Sequence, residues 1–287
     1  MRIWPCCIPC IYGVRAREVL ESSLDWEEKV YALTRLHKFM SRASEYSSTI
    51  RLASDAFRLV KRLIRDPDPY REYKERSNRL VREELLPLLE REIARLRSYE
   101  KFQLLAVASI GANVLDPGVP GYGNLKPLLD VRLGLDESGA AYELLCSSRR
   151  VAYLLDNAGE ALVDLLLVKE LAEMGVEVVV LAKSFPYQND VTVEEAVSLG
   201  FGEVAEVVGT SSDCAGPLPG ELSEEALKAL LESDVIVAKG MAAYEALLEW
   251  RLPRPVIHMF KAKCQPVASS AGVRVGEGVI MVRHIES

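Results

Sequence analysis

The stretch VAYLLDNAGEALVDLLLVKELAEMGVEVVVLAK, residues 151–183, decides the fold class of this chain. It opens with the apolar run VAYLLD at 151–156, has a helical pattern at 159–174, and closes with the β-branched run VEVVVLAK at 176–183. A strand, a helix and a second strand in this order form a unit in which the two strands are parallel and the connection is right-handed. We therefore predict an α/β fold built on a mostly parallel sheet.

The same alternation continues toward the C-terminus. Further strand-like runs occur at 204–209, 234–239 and 255–260, and helical patterns separate them at 193–199, 223–232 and 241–250. These strands are apolar on both faces, which indicates a sheet covered by helices on both sides. We predict a three-layer α/β/α sandwich for residues 105–287.

The N-terminal part, residues 1–104, has a different pattern and is predicted to be a helical domain. Apolar residues recur every three or four positions at 30–40 and again at 50–64. The segment DPDP that follows ends the second of these helices, because proline disfavours helical geometry in the residue before it. A third helix is predicted at 71–97, with a bend at Pro87.

Composition and charge argue against nucleic-acid-binding and membrane proteins. The chain has 287 residues and a net charge of −7, and an acidic protein is a poor candidate for nucleic-acid binding. No apolar run reaches the ~18–20 residues that a membrane span requires, and the N-terminus is a poor secretion signal. We predict a cytoplasmic protein with neither nucleic acid nor membrane as a partner, and composition leaves the oligomeric state open.

Polar side chains follow the predicted strands. They are Asp156, Asn157, Lys183, Asn189, Asp190, Lys239 and Lys261, with Asn113 and Asp116 in the upstream loop GANVLDPG. Ligands in parallel sheets bind beyond the carboxyl ends of the strands. Carboxylate and amide oxygens suit Mg²⁺ or Mn²⁺, and lysines provide point charges for a phosphate. We expect a site for a divalent ion and a small phosphorylated metabolite.

Three related kinds of site do not fit the sequence. A dinucleotide fold needs Gly-x-Gly-x-x-Gly after the first strand, and DNAGEA contains only Gly159. A haloacid-dehalogenase-like phosphatase carries a second Asp two places after the first, where this chain has Ala158. A P-loop is also absent from the sequence. Attack by metal-activated water is therefore favoured over an aspartyl-phosphate at Asp156.

The motifs, taken together, resemble a known family. A CxxC near the start, GANVLD, LLDNAGE, KSFPYQNDVT, AKGMAAYEAL and FKAKCQPVA occur in this order over nearly the whole chain. This series resembles the DUF89 proteins, the ARMT1-like damage-control phosphatases, and the CxxC is similar to that of their prokaryotic branch. The resemblance implies an α/β/α sandwich with an added helical domain, and metal-dependent hydrolysis of phosphomonoesters.

The resemblance also implies roles for individual residues. The metal ligands implied are Asp156, Asn157 and Asp190, holding Mg²⁺ or Mn²⁺, with Ni²⁺ or Co²⁺ as alternatives. The residues implied on the substrate side are Lys183, Lys239, Lys261, Asn113 and Asp116, and Glu160 is implied to position water or a ligand. The chain departs from the family pattern after Lys239 and Gly240, where Met241, Ala242 and Ala243 stand in place of the usual Gln, Gly and Asn, and this leaves the choice of substrate open.

Three cysteines form a separate candidate site. Cys7, Cys10 and Cys264 stand where the resembling branch carries cysteines. Three thiolates with a fourth ligand would bind zinc, Cys7 and Cys10 would form a disulfide, or all three would only pack. Having only three histidines, the chain is a poor candidate for a histidine-based metal cluster.

Two other functions stay open from the sequence. The first is a group transferase, for example carboxyl methyltransferase-like, that uses a nucleotide-like cofactor in the same cleft. The second is a non-enzymatic metal-binding or redox module built on the three cysteines.

Overall fold

A seven-stranded sheet forms the centre of the protein in a computed structural model that describes residues 1–112, 131–248, 250 and 252–284. The strands are β1 Leu133–Asp136, β2 Arg150–Leu154, β3 Glu177–Ala182, β4 Glu206–Gly209, β5 Val235–Lys239, β6 Val256–Lys261 and β7 Gly278–Arg283. Their order in the sheet is β1-β7-β6-β5-β2-β3-β4. All neighbouring strands are parallel except β6 and β7. The predicted mostly parallel sheet is confirmed.

Twelve α-helices lie in the part of the chain that the structure describes. They are α1 Cys7–Glu21, α2 Trp26–Met40, α3 Thr49–Ile64, α4 Arg71–Leu80, α5 Leu86–Ile93, α6 Ser98–Ala112, α7 Ser138–Ser147, α8 Glu160–Glu173, α9 Val193–Leu199, α10 Glu224–Glu232, α11 Met241–Leu247 and α12 Gln265–Ala271. Helix α8 connects β2 to β3, as predicted from the pattern of residues 151–183. None of these described helices combines the length and the apolar character needed to span a membrane.

The side chains of β2 show how the layers form. Val151 and Tyr153 pack on one face of the sheet, in a core shared with α6 and α8. Ala152 and Leu154 pack on the opposite face, against α10 and α11. All four are buried, because each face of the strand has its own layer of helices. The three-layer α/β/α architecture is therefore confirmed.

The sheet is wider than the sequence indicated. Strands β1 and β7, with the neighbouring helices α7 and α12, were not predicted. Strand β1 has only four residues, and their burial alternates between half-buried and exposed. Strand β7 runs antiparallel to β6, an arrangement that strand-helix alternation does not anticipate.

The first three helices pack around a core of their own. Its fully buried members include Val19, Leu36, Leu52 and Val60. Helix α3 ends at Ile64, before the DPDP segment, as predicted. The predicted third helix is interrupted by a π-helical turn at Val81–Leu85, immediately before α5. Pro87 has no N–H to continue the regular bonding pattern, which explains the interruption at this place.

Helix α6 links the helical part to the sheet. The predicted boundary between residues 104 and 105 falls inside this helix. Phe102, Leu105 and Ile110 are buried in the same core as β2 and β3. By its packing α6 belongs with the sheet, and the division of the chain into two domains stays a prediction.

Candidate active site

The turn DNAGE, between β2 and α8, gathers three polar side chains. Asp156, Asn157 and Glu160 are all buried. The Asn157 amide donates hydrogen bonds to Asp156 Oδ2 at 2.6 Å and to Glu160 Oε2 at 3.3 Å. Gly159, with φ of 80°, permits the turn into α8. The sequence cluster that follows the first strand is therefore one hydrogen-bonded unit.

The loop after β3 brings Asp190 to this turn. Asn157 and Asp190 form an antiparallel backbone bridge. On either side of it, Val191 N donates to Asp156 O at 2.9 Å and Ala158 N donates to Asn189 O at 2.8 Å. These bonds join two loops that are more than 30 residues apart in sequence. Asp190 is buried, as Asp156 and Asn157 are. The structure thus brings together Asp156, Asn157 and Asp190, the predicted metal ligands.

These residues line a cleft of about 1320 Å³ between the helical part and the carboxyl edge of the sheet. The helical part contributes residues from α1, α3 and α4 and from the segment between α3 and α4, including Arg15, Glu18, Tyr70 and Arg76. The sheet side contributes Tyr187, Gln188, Lys263 and Cys264 besides the predicted ligands. The helical part therefore supplies one wall of the candidate site.

Gly240 leaves the space that the Asp156 carboxylate occupies. A Cβ atom at residue 240 would lie 2.1 Å from Asp156 Cγ, far inside any contact distance. The φ of Gly240 is +80°, which disfavours other residues independently of space. The glycine after β5 is thus required for the position of the carboxylate.

Lys239 does not face the cleft as predicted. Its side chain is 0 % exposed, and its ammonium group contacts Glu160, Ser109 Oγ and, at 3.1 Å, Asp164 Oδ1. An ammonium group has three hydrogens to donate, and these partners use all of them. In this structure Lys239 neutralises buried carboxylates of α8, and its role toward a phosphate stays a prediction.

Burial shapes the protonation of this buried cluster. It raises the pKa of Glu160 to about 8, and the nearby Asp156 and Asp164 add to the effect, while Lys239 opposes it. Burial lowers the pKa of Lys239, but the Asp164 and Glu160 carboxylates outweigh it and hold that pKa above its usual value. Lys239 therefore stays charged, and both oxygens of Glu160 accept hydrogen bonds, one from Lys239 and one from Asn157.

Lys183 also differs from its predicted role. Its ammonium group donates to Cys214 O at 2.7 Å and to Ala215 O at 3.0 Å, and pairs with Asp190 Oδ2 at 3.0 Å. With three partners, it has no hydrogen left for a substrate. In this structure Lys183 orients the Asp190 carboxylate, and its contact with substrate stays a prediction.

The third predicted lysine has a neighbour that fits the site better. Lys261 ends β6, and burial, with a smaller effect of Lys263, lowers its pKa. Of these two residues, Lys263 is the one that lines the cleft. The motif FKAKC contains both lysines and gave no reason to prefer the second. Lys263 is thus a candidate site residue that the sequence did not indicate, and the role of Lys261 stays a prediction.

Asn78 is a second residue that was missed. It lies in α4, and its Oδ1 accepts a hydrogen bond from Gly159 N at 2.6 Å. The bond ties the helical part directly to the DNAGE turn. Nothing in the sequence around Asn78 indicated this contact, because its partner is 81 residues away.

The three candidate cysteines lie along the cleft as free thiols. Cys7, Cys10 and Cys264 all line it, and none forms a disulfide. Burial raises the pKa of Cys264 to about 11 and also raises those of Cys7 and Cys10, so the thiols stay protonated at neutral pH. Their binding of zinc stays a prediction. The predicted Asn113 and Asp116 lie outside the described residues.

The donor set at the turn has the chemistry of a hard cation site. Two buried carboxylates and an amide meet here, and oxygen ligands of this kind suit Mg²⁺ and Mn²⁺. Within residues 1–112 and the later described ranges, no group of three or more His, Cys, Asp or Glu side chains is arranged to hold a metal. The amide of Asn157 would complete a set that has only two carboxylates.

Comparison with known proteins places the chain among phosphatases. The sequence profile of the damage-control phosphatase ARMT1-like domain matches residues 3–279. A damage-control phosphatase from Archaeoglobus fulgidus is 34% identical over 98% of this chain and 99% of its own length. An uncharacterized protein from Methanocaldococcus jannaschii is 34% identical over 79% of this chain and 77% of its own. The crystal structure of a DUF89 family protein from Pyrococcus horikoshii, 26% identical, superposes with a TM-score of 0.87 over 98% of this chain and 99% of that one.

Proposed function

Because the chain belongs to the damage-control phosphatase ARMT1-like family, we propose that it is a divalent-metal-dependent phosphatase of small phosphorylated metabolites. The observation that carries the proposal is the meeting of Asp156, Asn157 and Asp190 on the wall of one large cleft. Membership of the family favours this function over the group transferase and the non-enzymatic module that the sequence left open.

In this proposal Asp156, Asn157 and Asp190 hold Mg²⁺ or Mn²⁺, with Ni²⁺ or Co²⁺ as alternatives. When bound, such an ion supplies polarisation of the phosphoryl oxygen and lowers the pKa of a coordinated water. The Asn157 amide nitrogen is already engaged with Asp156 and Glu160, which leaves its oxygen as the ligand atom.

The surrounding residues prepare the site. The 3.0 Å contact with Lys183 holds the Asp190 carboxylate in place, and Gly240 leaves room for that of Asp156. Lys263, on the cleft wall, contributes positive charge toward the phosphate. The helical part covers the carboxyl edge and limits the access of bulk water to the reacting groups.

The test is hydrolysis of p-nitrophenyl phosphate with and without divalent metal. We expect activity with Mn²⁺ or Mg²⁺, its loss in EDTA, and a fall of at least about 100-fold in Asp156→Asn and Asp190→Asn. Asp136→Asn is the matched control, because Asp136 also ends a strand but is exposed. Full turnover by Asp156→Asn, or activity that survives EDTA, contradicts the proposal.

A further inference from the structure

Arg15, on α1, is a buried cation in the cleft wall. Its side chain is 3% exposed, and its Cζ lies 4.6 Å from the centroid of the Phe57 ring. Nη2 pairs with Glu18 Oε1 at 3.0 Å. Nε and Nη1 are buried and have no hydrogen-bond partner among the described residues. Arg15 therefore has donors at the cleft that the described residues leave unsatisfied.

Such donors need an acceptor. An arginine keeps its charge and all five N–H groups at any physiological pH, and a buried N–H without an acceptor is costly. The stacking of the guanidinium on Phe57 holds its plane but provides no acceptor oxygen. A ligand in the cleft is the natural source of that oxygen, because Arg15 lines the cleft.

Arg15 lies close to the loop that carries the proposed metal ligand Asp190. Its Cζ lies 5.9 Å from the centroid of the Tyr187 ring, and Lys183 Nζ lies 5.6 Å from the same centroid. Lys183 pairs with Asp190, and the Asp190 N–H donates to Tyr187 O. Arg15 and Lys183 thus both contact the ring of Tyr187. This places Arg15 close enough to the proposed metal site to contact the part of a substrate that departs after hydrolysis.

Glu18 determines the charge of the ligand that fits. It is buried beside Arg15, and Oε1 accepts a hydrogen bond from the Tyr70 hydroxyl at 2.6 Å. Its carboxylate offsets the charge of Arg15 and repels a second anion. A hydroxyl group suits both residues, because its oxygen accepts from Arg15 and its proton is donated to Glu18.

We propose that Arg15 and Glu18 form the subsite for the alcohol portion of the substrate and select a neutral, hydroxyl-bearing leaving group over one with a second negative charge. The inference rests on the proposed function in that the ligand is the substrate of the phosphatase. The pair lies on the helical part, so substrate choice and phosphate chemistry belong to opposite walls of the cleft.

The test uses glycerol 1-phosphate and 3-phosphoglycerate, which share a three-carbon backbone and differ in a hydroxymethyl or carboxylate end. The natural protein is expected to prefer glycerol 1-phosphate by about tenfold in kcat/KM. Glu18→Gln is expected to reduce that preference about tenfold by improving the reaction of 3-phosphoglycerate, because Arg15 is no longer offset. Arg15→Gln is expected to raise KM for glycerol 1-phosphate about tenfold.

Arg35→Gln is the matched control, since Arg35 is an exposed arginine on the neighbouring helix α2. Its preference should equal that of the natural protein. An unchanged preference in Glu18→Gln, or an unchanged KM for glycerol 1-phosphate in Arg15→Gln, overturns the inference. If Glu18→Gln does not fold, as judged by its thermal melting, the KM of Arg15→Gln decides alone.

A binding measurement separates this inference from the proposed function. Titration calorimetry of the same two compounds, in the same variants and with Mg²⁺ present, requires no turnover. If no phosphate ester is hydrolysed, the proposed function fails, and the calorimetric preference then decides the subsite. Equal affinities for the two compounds in the natural protein overturn it, and a preference that Glu18→Gln reduces supports it.

Discussion

Gly240 and Asp156 illustrate how single residues set this site. Gly240→Ala would place a methyl group on the Asp156 carboxylate and force the backbone from a φ of +80°. We expect a fall in phosphatase activity of at least about tenfold, because a small displacement at a catalytic site has a large effect on rate. Assays of p-nitrophenyl phosphate hydrolysis check this. Gly139→Ala, where a Cβ meets nothing within 4 Å, should behave like the natural protein.

Lys239 is expected to matter for stability. Lys239→Met leaves Glu160 and Asp164 buried without their cation, and the loss of one partner of a buried pair costs about 3–5 kcal/mol. Denaturant unfolding measures this loss. Lys101→Met removes a partly exposed pair with Glu170 and should cost less than about 1 kcal/mol. Similar losses in the two variants would mean that the Lys239 cluster is not a stabilising one.

At the scale of residues, the sequence indicated the positions of the oxygen-bearing side chains better than the directions of the lysine side chains. Asp156, Asn157 and Asp190 follow strands directly, so the backbone alone brings them to the edge of the sheet. The direction of a lysine ammonium depends on distant partners. For Lys239 these include Ser109 of α6, and for Lys183 they include the Cys214 carbonyl. Strand periodicity contains no information about such partners.

Among the elements, helix α4 supports the DNAGE turn of the candidate site, although it belongs to the helical part. Asn78→Ala removes the acceptor for Gly159 N and leaves the DNAGE turn without its link to α4. We expect kcat/KM to fall about tenfold while the unfolding free energy changes by only about 1 kcal/mol. Steady-state kinetics and urea unfolding check the two parts. Arg71→Ala, at an exposed position of the same helix, should change neither, and equal kinetics for the two variants would contradict the role of Asn78.

The central elements of the sheet were predictable, and its far edge was not. Strands β2, β3 and β5 are buried on both faces and read as continuous apolar runs. Strand β1 is short and half-exposed, so its four residues show no such run. The predicted domain boundary fell inside helix α6 because the helical pattern of the N-terminal part continues into it, whereas its partners lie in the sheet.

At the scale of the whole molecule, ion pairs join the helical part to the loops at the strand ends. They predict that the unfolding free energy decreases at acidic pH. Hydrogen bonds from Arg58 lower the pKa of Glu221 from its usual 4.5 to about 2. A carboxyl whose pKa is lowered on folding stabilises the protein fully above 4.5, and this stabilisation is lost as the pH falls through about 2. We expect the unfolding free energy to decrease over that window.

The variant Arg58→Met tests the cause of this acid effect. It removes the partner of Glu221 and of Asp213, so its decrease in unfolding free energy between pH 5 and 2.5 should be smaller than that of the natural protein. Urea unfolding at the two pH values measures the difference. Identical decreases would show that the acid sensitivity arises elsewhere in the chain.

The proposed chemistry requires a single cation held where two loops of the sheet meet. The direct measurement is anomalous diffraction from a crystal of the protein soaked in Mn²⁺. We expect one strong peak within about 2.5 Å of carboxylate oxygens of both Asp156 and Asp190, and its loss in Asp156→Asn. A peak at Cys7, Cys10 and Cys264 instead, or none at the DNAGE turn, would contradict the proposed chemistry.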